Sequence, residues 1–211
     1  MLTLPALTLV QWLSPAFPTG AFAYSHGMET AIASGVVHDA DTVQLWLGNL
    51  LQFGAGWQDA VLLSVALESG EYDRLDTYAR ALAPSAERLQ ESDEQGAAFA
   101  RTVAGMTGRD LPARMLPVAV AEAAAPLALP PADVAALYLQ AWVGNLCTVA
   151  TRHVPLGQTA AQAALAALGP LILTVSQRAA TAGLDDLGGC ALGADMSALH
   201  HETQEVRIFR T

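Results

Sequence analysis

Lysine is missing from this chain of 211 residues, in which all ten basic side chains are arginine. Its absence excludes a Schiff-base lysine and the lysine of a phosphate-binding Walker motif. Acidic residues outnumber the arginines, and 20 Asp and Glu give a formal net charge of −10 at pH 7. Because the neutralisation of phosphates requires clustered positive charge, this balance argues against binding to nucleic acid.

Charged and aromatic residues are both scarce, at 14% and 6% of the chain, whereas 53% of the residues are hydrophobic. A chain of this length and composition buries a sizeable core, so the first expectation is one large domain, with two small domains as the alternative. With so few aromatics, that core must be mostly Ala, Leu and Val. Such small side chains let helices approach closely, which suits helical bundles and subunit interfaces.

Cysteine is also rare, and Cys147 and Cys190 form neither a CxxC pair nor a zinc-finger spacing. They are interpreted as small core residues in a reducing compartment. The first residues lack the basic region of a signal peptide, and Pro, Asp, Gln or Arg interrupts every long apolar run. These absences predict a cytoplasmic protein without membrane contact.

Helical periodicity covers most of the chain, and no Asn-Gly hairpin signal is present. The expected fold is all-α, a single-domain multi-helix bundle over residues 1–183, followed by a Gly- and Asp-rich linker and flexible tail over 184–211. The predicted helices cover residues 2–13, a stretch after an Asp41–Gln44 capping box, 57–68, 71–82, 85–106 with its charges on a solvated face, a segment between Pro112 and Pro126, 131–153, and a helix from Pro155 that Pro170 kinks or splits.

The tail carries apolar side chains but has little of its own to bury them against: Met196, Leu199, Val206, Ile208 and Phe209. One interpretation is a frayed terminus, and the other is a segment that becomes ordered on a partner. Two arginines, Arg207 and Arg210, are candidates for interface anchors or for arginine fingers of a GTPase, with solvated charge as the simpler reading.

The tail also holds the strongest candidate for a metal site. His201 to Glu205 reads HETQE, which resembles the zincin HExxH pattern but has Glu205 in place of the second histidine. His200, His201 and Glu202 are therefore a weak set of ligands for a cation such as nickel, and a solvated histidine pair is favoured over it.

The remaining candidates point to structure rather than catalysis. Ser25 is predicted to cap a helix that begins at His26, accepting an amide hydrogen bond from Met28 or Glu29. No GxSxG elbow and no GxGxxG loop is present, and His26, His38 and His153 are isolated. A helical-bundle enzyme would need paired carboxylates or histidines facing inward, and no such set is visible.

Residues 13–29, LSPAFPTGAFAYSHGME, form an unusual segment near the start of the chain. Pro15, Pro18 and Gly20 break the helical periodicity, and aromatic side chains stand around these breaks. Farther on, Asn145 and Arg152 lie on or beside the apolar stripe of the 131–153 helix. Each is predicted to make a hydrogen bond across a helix interface, as a structural tie or as an interface residue.

Three motifs resemble those of the urease accessory protein UreF family. The first is SPAFPTGAFAYSHGME at residues 14–29. The second is YLQAW at 138–142, with Asn145, Arg152 and PLGQT at 155–159. The third combines Met196, HET at 201–203 and RIFRT at 207–211. They occur in the family's order and span nearly the whole chain.

The resemblance implies a non-enzymatic, all-α homodimer that matures urease and holds no cofactor of its own. Such proteins bind a UreD/UreH-like accessory protein and recruit the GTPase UreG, and the assembly delivers nickel to apo-urease. The resemblance also implies that the tail becomes ordered on the UreD/UreH-like partner. The alternative is an independent nickel metallochaperone that uses His200 and His201.

Carried onto this sequence, the resemblance assigns partner binding to residues of both end motifs. Matching Phe22 and Arg207 implies a surface that recruits the GTPase. The full partner-binding set is Phe22, Tyr24, Ser25, Glu29, His201, Glu202, Arg207, Phe209 and Arg210. Asn145 and Arg152 are assigned to a structural interface.

Overall fold

The structure, a computed structural model, describes residues 3–211, which fold into α-helices joined by turns, with no β-strand in that range. The all-α prediction is confirmed. In chain order the helices are α1 (Leu4–Trp12), α2 (Met28–Ala33), α3 (Ala40–Phe53), α4 (Ala55–Ser69), α5 (Tyr72–Ala81), α6 (Ala86–Thr107), α7 (Leu116–Ala124), α8 (Pro131–Ala150), α9 (Gln158–Ala179) and α10 (Leu192–His201). The predicted start of the first helix, at residue 2, lies outside the described residues.

Helix starts follow from local side-chain chemistry, and those of α3 and α9 differ from prediction. The capping box of α3 is Asp39 with Thr42, whose side chain and backbone groups satisfy each other, so the box predicted at Asp41–Gln44 is wrong. Ser85 caps α6 as predicted, accepting a hydrogen bond from the Arg88 N–H at 3.2 Å. Helix α9 begins three residues after Pro155, since Gly157 is its N-cap.

Proline does not divide α9. Pro170 lies inside a continuous helix from Gln158 to Ala179, so the predicted split is wrong. The ring removes one backbone hydrogen bond and crowds the carbonyl four residues earlier. Pro170 lies on the exposed side of α9, where water can satisfy the freed carbonyl group.

One apolar core joins the long helices. Helix α4 packs against α3, α5, α7, α8 and α9, while α8 and α9 pack along each other and α6 packs on α7. Fully buried leucines, valines and alanines fill the space, with Leu47, Leu63 and Leu139 among the largest side chains. The composition predicted this kind of core, in which small residues let helices lie close together.

Two helical stretches are long and apolar enough to cross a membrane, judged by length and composition alone: Ala40–Ser69, which comprises α3 and α4, and Gln158–Ala179, which is α9. In the first, 61% of the apolar window is buried inside the fold, as expected of helices at the centre of a core. In α9 the buried share is 33%, so much of its apolar surface faces outward.

The last part of the chain lies against the rest of the molecule. Helix α10 packs on α2 and α6, and the residues after it run back to the turn that precedes α2. Phe209 is only 4% exposed, with its ring 5.1 Å from that of His153, and Thr211 is also buried. Phe209 is buried against residues outside the tail, whereas Val206 and Ile208 are exposed.

Candidate functional site

The two end motifs meet in space. We call residues 13–29 together with residues 196–211 the end junction. Backbone hydrogen bonds join its two halves directly: the Ser25 N–H donates to the Thr211 carbonyl, and the Arg210 N–H donates to the Ala23 carbonyl, each at 2.9 Å. The first and third motifs of the family resemblance therefore form a single structural unit.

A glycine permits the close approach of the halves. Gly27 has φ of +73°, a left-handed conformation that side chains other than glycine rarely adopt. A Cβ atom at this position would lie 2.7 Å from the backbone nitrogen of Ala198 in α10, which is closer than atoms can pack. Helix α2 accordingly begins at Met28, so the predicted start at His26 is wrong, although Ser25 Oγ does accept the Glu29 N–H at 3.2 Å.

Glu29 holds the tail in place. Its buried carboxylate accepts the N–H groups of Ile208 at 2.8 Å and Phe209 at 2.9 Å, and lies 3.2 Å from His201 Nε2. Burial by itself raises the pKa of Glu29, but these two backbone donors and His201 outweigh it and place its pKa below the usual value. Glu29 is therefore an ionised anchor inside the end junction.

His201 is completely buried between two carboxylates. Its Nδ1 lies 2.6 Å from Glu87 Oε2, while its Nε2 faces Glu29, and Glu87 also accepts a hydrogen bond from Arg207 at 2.6 Å. A chain of hydrogen bonds runs here from Glu29 through His201 and Glu87 to Arg207. All four belong to one hydrogen-bonded network that fastens α10 and the tail to α2 and α6.

The three residues proposed as weak metal ligands do not converge. His200 is exposed, His201 is enclosed by Glu29 and Glu87, and Glu202 accepts the N–H of Ala86 at the start of α6 at 2.7 Å. Across the described range 3–211, no group of three or more His, Cys, Asp or Glu residues is placed to hold a metal ion.

Arg210 is held on the other side of the tail. Its guanidinium forms a forked pair with Glu94, at 2.6 and 3.1 Å, and Tyr24 donates its hydroxyl to the same carboxylate at 2.5 Å. Burial, followed by the hydrogen bond and charge of Glu94, raises the pKa of Tyr24, so this hydroxyl remains a donor. The pair is partly exposed, in contrast to the pair around His201.

Beneath the junction lies a buried polar cluster. His26 Nδ1 is 2.9 Å from Glu91, and the Trp142 indole donates to His26 Nε2 at 3.1 Å. Arg88 pairs with Glu91, and Thr211 Oγ1 donates to it at 2.9 Å. Burial, then Arg88, lowers the pKa of His26 to about 4, whereas Arg88 and His26 overcome burial to lower that of Glu91 to about 2.

Helix α6 supplies the residues that the sequence interpretation missed. Its charges were expected on a solvated face, but Arg88 and Glu91 are buried, and Glu87 and Glu94 bind tail arginines. That expectation is wrong for this side of the helix. The spacing of acids at 87, 91 and 94 marks one helical face and was the available signal.

The predicted partner-binding residues separate into two groups. Tyr24, Ser25, Glu29, His201 and Phe209 are buried and bind other parts of the same chain. Phe22 is 63% exposed, and Glu202, Arg207 and Arg210 also reach solvent. The first group organises the end junction, and the second belongs to its outer surface.

Asn145 and Arg152 tie α8 and the residues just after it to the N-terminal motif. Asn145 Nδ2 donates to the Ala21 carbonyl at 3.1 Å, and Arg152 donates to the Phe22 carbonyl at 3.2 Å. Arg152 also lies over the Phe209 ring at 5.7 Å. The predicted hydrogen bonds exist, and they reach carbonyl groups of a short 3-10 helix at Ala21–Ala23.

Comparison with known proteins identifies one family. A family model described as UreF matches residues 37–169, which include the middle motif and exclude both ends of the junction. A protein called urease accessory protein UreF from Cereibacter sphaeroides (strain KD131) is 61% identical over 205 residues, covering 97% of this chain and 98% of its own. Proteins of the same name from Paracoccus denitrificans and Jannaschia sp. are 50% and 48% identical, with 97% of this chain covered in each case and 95% and 94% of their own.

Both the family model and the full-length similarity lead to one conclusion. The chain belongs to the urease accessory protein UreF family.

Proposed function

We propose that this protein is a scaffold in urease maturation that binds a UreD/UreH-like accessory protein and recruits a UreG-like GTPase, so that nickel is inserted into apo-urease. The observation that supports this most is the end junction itself. The polar groups of its buried residues bind one another, and its outer surface presents the exposed apolar side chains of Phe22, Val206 and Ile208.

The outer surface combines apolar and charged side chains. Phe22, Val206 and Ile208 are 63%, 81% and 70% exposed, which is unusual for large apolar residues near a rigid polar framework. Aromatic residues and arginines commonly anchor protein interfaces. We assign Phe22 and Arg207 to recruitment of the GTPase, and the tail with Val206 and Ile208 to the UreD/UreH-like partner.

The arginines favour anchoring over catalysis in the partner. Arg207 and Arg210 are each committed to a carboxylate of α6 at 2.6 Å. An arginine finger has to reach another protein's nucleotide, so it would first have to leave these pairs. Positioned as they are, the two guanidinium groups shape the surface of the junction.

A second copy of the chain has a candidate place to bind. The exposed face of α9 and the neighbouring face of α3 carry Leu45 and Leu173, and residues 154–177 contain no charged side chain. Two chains that each carry a net charge of −10 repel least where charge is absent. We therefore propose a homodimer through this face, working in the cytoplasm.

The scaffold proposal is tested by size-exclusion co-elution of the full chain with the UreD/UreH-like and UreG-like proteins, in the presence of nickel and either GTP or GDP. The Arg207→Ala variant is expected to lose the GTPase from the shared peak and to keep the UreD/UreH-like protein. Arg101→Ala removes an exposed arginine elsewhere on α6 and serves as the matched control. No shared peak with either nucleotide would overturn the scaffold proposal.

A truncation tests the tail separately. Removing residues 195–211 is expected to leave the helical core folded, because α3, α4, α7, α8 and α9 supply most of that core and the removed segment contributes Phe209 to it. The truncation is expected to abolish binding of the UreD/UreH-like partner. Circular dichroism reports the remaining helix content and co-elution reports the binding. Unchanged partner binding by the truncated chain would contradict the assignment of the tail.

A further inference from the structure

A cavity of about 280 Å³ lies between the turn that follows α1, helix α6 and helix α8. Aromatic rings make up much of its wall: Trp12, Phe17, Phe22, Phe99, Tyr138 and Trp142. The cavity has a buried floor and a mouth that opens to the surface. Trp12, Phe99 and Tyr138 are buried, whereas Pro15, Phe22 and Thr148 reach the surface.

The size suits a ring system. An apolar protein cavity of about 150 Å³ is enough to hold benzene, so the volume here accommodates a bicyclic aromatic group such as indole. The rings of Trp12 and Phe17 stand at 85° and 52° to that of Phe99. Rings at such different angles can offer a planar guest the edge-to-face contacts that aromatic pairs prefer.

The polar groups on the floor are already occupied. Glu91 accepts from Gln95 at 3.0 Å and from Thr211 at 2.9 Å, and is paired with Arg88 and His26. Both ring nitrogens of His26 have partners in Glu91 and Trp142. A charged guest would lose its hydration, while Glu91, the ionised side chain in the wall, is already paired with Arg88 and His26. Burying a charge without a partner costs several kcal/mol, so the cavity selects an uncharged guest.

The mouth adjoins the exposed part of the end junction. Phe22 forms part of the rim and is also the most exposed aromatic side chain of the junction. Its backbone is fastened by Arg152, and the neighbouring Ala21 is fastened by Asn145, so the rim is fixed in place. An exposed aromatic residue beside a ready pocket is the arrangement in which interface anchors of two proteins pair with one another.

We propose that this cavity receives an uncharged aromatic side chain of a protein partner, inserted beside Phe22. The proposal rests on the proposed function, in which Phe22 belongs to the surface that recruits the GTPase. The inserted ring stacks among Trp12, Phe99 and Trp142 and makes no ionic contact. Because Glu91 and His26 also bind Thr211, the guest touches the same cluster that seats the end of the tail.

The first test uses indole as the probe and the full chain. Saturable binding is expected to shift the ¹H–¹⁵N resonances of the Trp12 and Trp142 indoles and to leave those of Trp46 and Trp57 unchanged. Benzylamine and phenylacetate, which carry a positive and a negative charge, are expected to bind at least about tenfold more weakly. Absence of saturable indole binding, or tighter binding of either charged compound, would overturn the proposal.

Two variants locate the site. Ala141→Phe places a ring inside the cavity, and Gln140→Phe adds the same ring to the exposed side of α8 as a matched control. Indole binding is expected to disappear in the first and persist in the second. Thr148→Trp covers the mouth from an exposed position, and it takes the place of the first variant if circular dichroism shows that Ala141→Phe does not fold. Retained indole binding in the folded cavity variant would refute the assignment.

Co-elution with the UreG-like GTPase separates this proposal from the proposed function. A folded cavity-blocking variant is expected to bind the GTPase at least about tenfold more weakly, while Gln140→Phe binds normally. If the cavity-blocking variant binds the GTPase normally although indole binds the cavity of the unmodified chain, the natural guest is a free small molecule. The partner-side-chain proposal then fails. The scaffold function then stands on the Arg207→Ala result.

Discussion

The core of the helical body buries leucine, valine and alanine, whereas the end junction and the polar cluster beneath it bury carboxylates, histidines and an arginine. Apolar burial has no preferred direction and tolerates small shifts. A buried carboxylate is stable only when particular donors stand at hydrogen-bond distance, so loss of one donor affects its neighbours. The comparison indicates that the body provides stability. The junction provides a surface of defined shape, which depends on each of its buried hydrogen bonds.

The largest expected effect belongs to the body. Leu139→Ala in α8 leaves a cavity at a fully buried position, and such substitutions lower the free energy of unfolding by about 2 to 5 kcal/mol. Urea denaturation followed by circular dichroism measures the change. If the loss is below about 1 kcal/mol, the body is not held mainly by tight apolar packing and the comparison is wrong.

Glu29→Ala should act on the junction alone. The change leaves the N–H groups of Ile208 and Phe209 without their acceptor, so the local opening of the tail becomes easier by about 2 to 3 kcal/mol. Hydrogen exchange of residues 206–211 measures this opening, and the exchange of core amides in α4 is expected to change little. Equal acceleration in α4 would show that the two regions unfold together.

Acid should weaken the junction through His26. Its pKa is about 4 in the fold and 6.5 when exposed, so folding favours the neutral ring. That contribution is fully present above pH 6.5 and is lost as the pH falls towards 4, because the unfolded chain then binds more protons. The stability advantage of the wild type over His26→Gln is expected to shrink by on the order of 2 kcal/mol across this window.

Carboxyl groups do not obscure this comparison of stability between the wild type and His26→Gln. Glu91 loses its contribution only between about pH 4.5 and 2, below most of the window. Burial raises the pKa of Asp59 to about 6, which works in the opposite direction, but Asp59 is present in both proteins and cancels in the difference. A pH-independent difference between wild type and variant would show that His26 is not held neutral.

The smallest effect on stability is expected at Arg210. Its forked pair with Glu94 is partly exposed, and exposed ion pairs contribute about 0 to 1 kcal/mol. Arg210→Ala is therefore expected to change the free energy of unfolding by less than about 1 kcal/mol while weakening partner binding. Arg74→Ala, which removes an exposed pair with Glu71 on α5, provides the control for binding.

The helical body was largely predictable from the sequence, because apolar spacing and caps such as Ser85 act over a few residues. For the junction, the sequence identified the residues but not the contacts that they make. Tyr24, Glu29 and His201 were identified through the family resemblance as partner-binding residues, and their buried contacts within the chain were not predicted. For Ser25 the amide hydrogen bond from Glu29 was predicted.

The partners of these residues could not be predicted for a physical reason. Glu29 and Ile208 are separated by most of the chain, and no local pattern shows that a carboxylate near one end accepts hydrogen bonds from a backbone near the other. The same holds for Arg88 and Glu91, which were expected to be solvated. Their spacing shows that they share one helical face, but the rest of the fold decides whether that face is buried.

Helix α6 also restricts the length of the tail. Glu87, Glu91 and Glu94 stand on successive turns and hold Arg207, Thr211 and Arg210 respectively. The tail is thus aligned along the helix, in which each residue rises by about 1.5 Å. Single substitutions in the tail remove one contact each, but inserting or deleting a residue between His201 and Arg207 would misalign all three at once. The length of this segment should therefore be restricted more strictly than its composition.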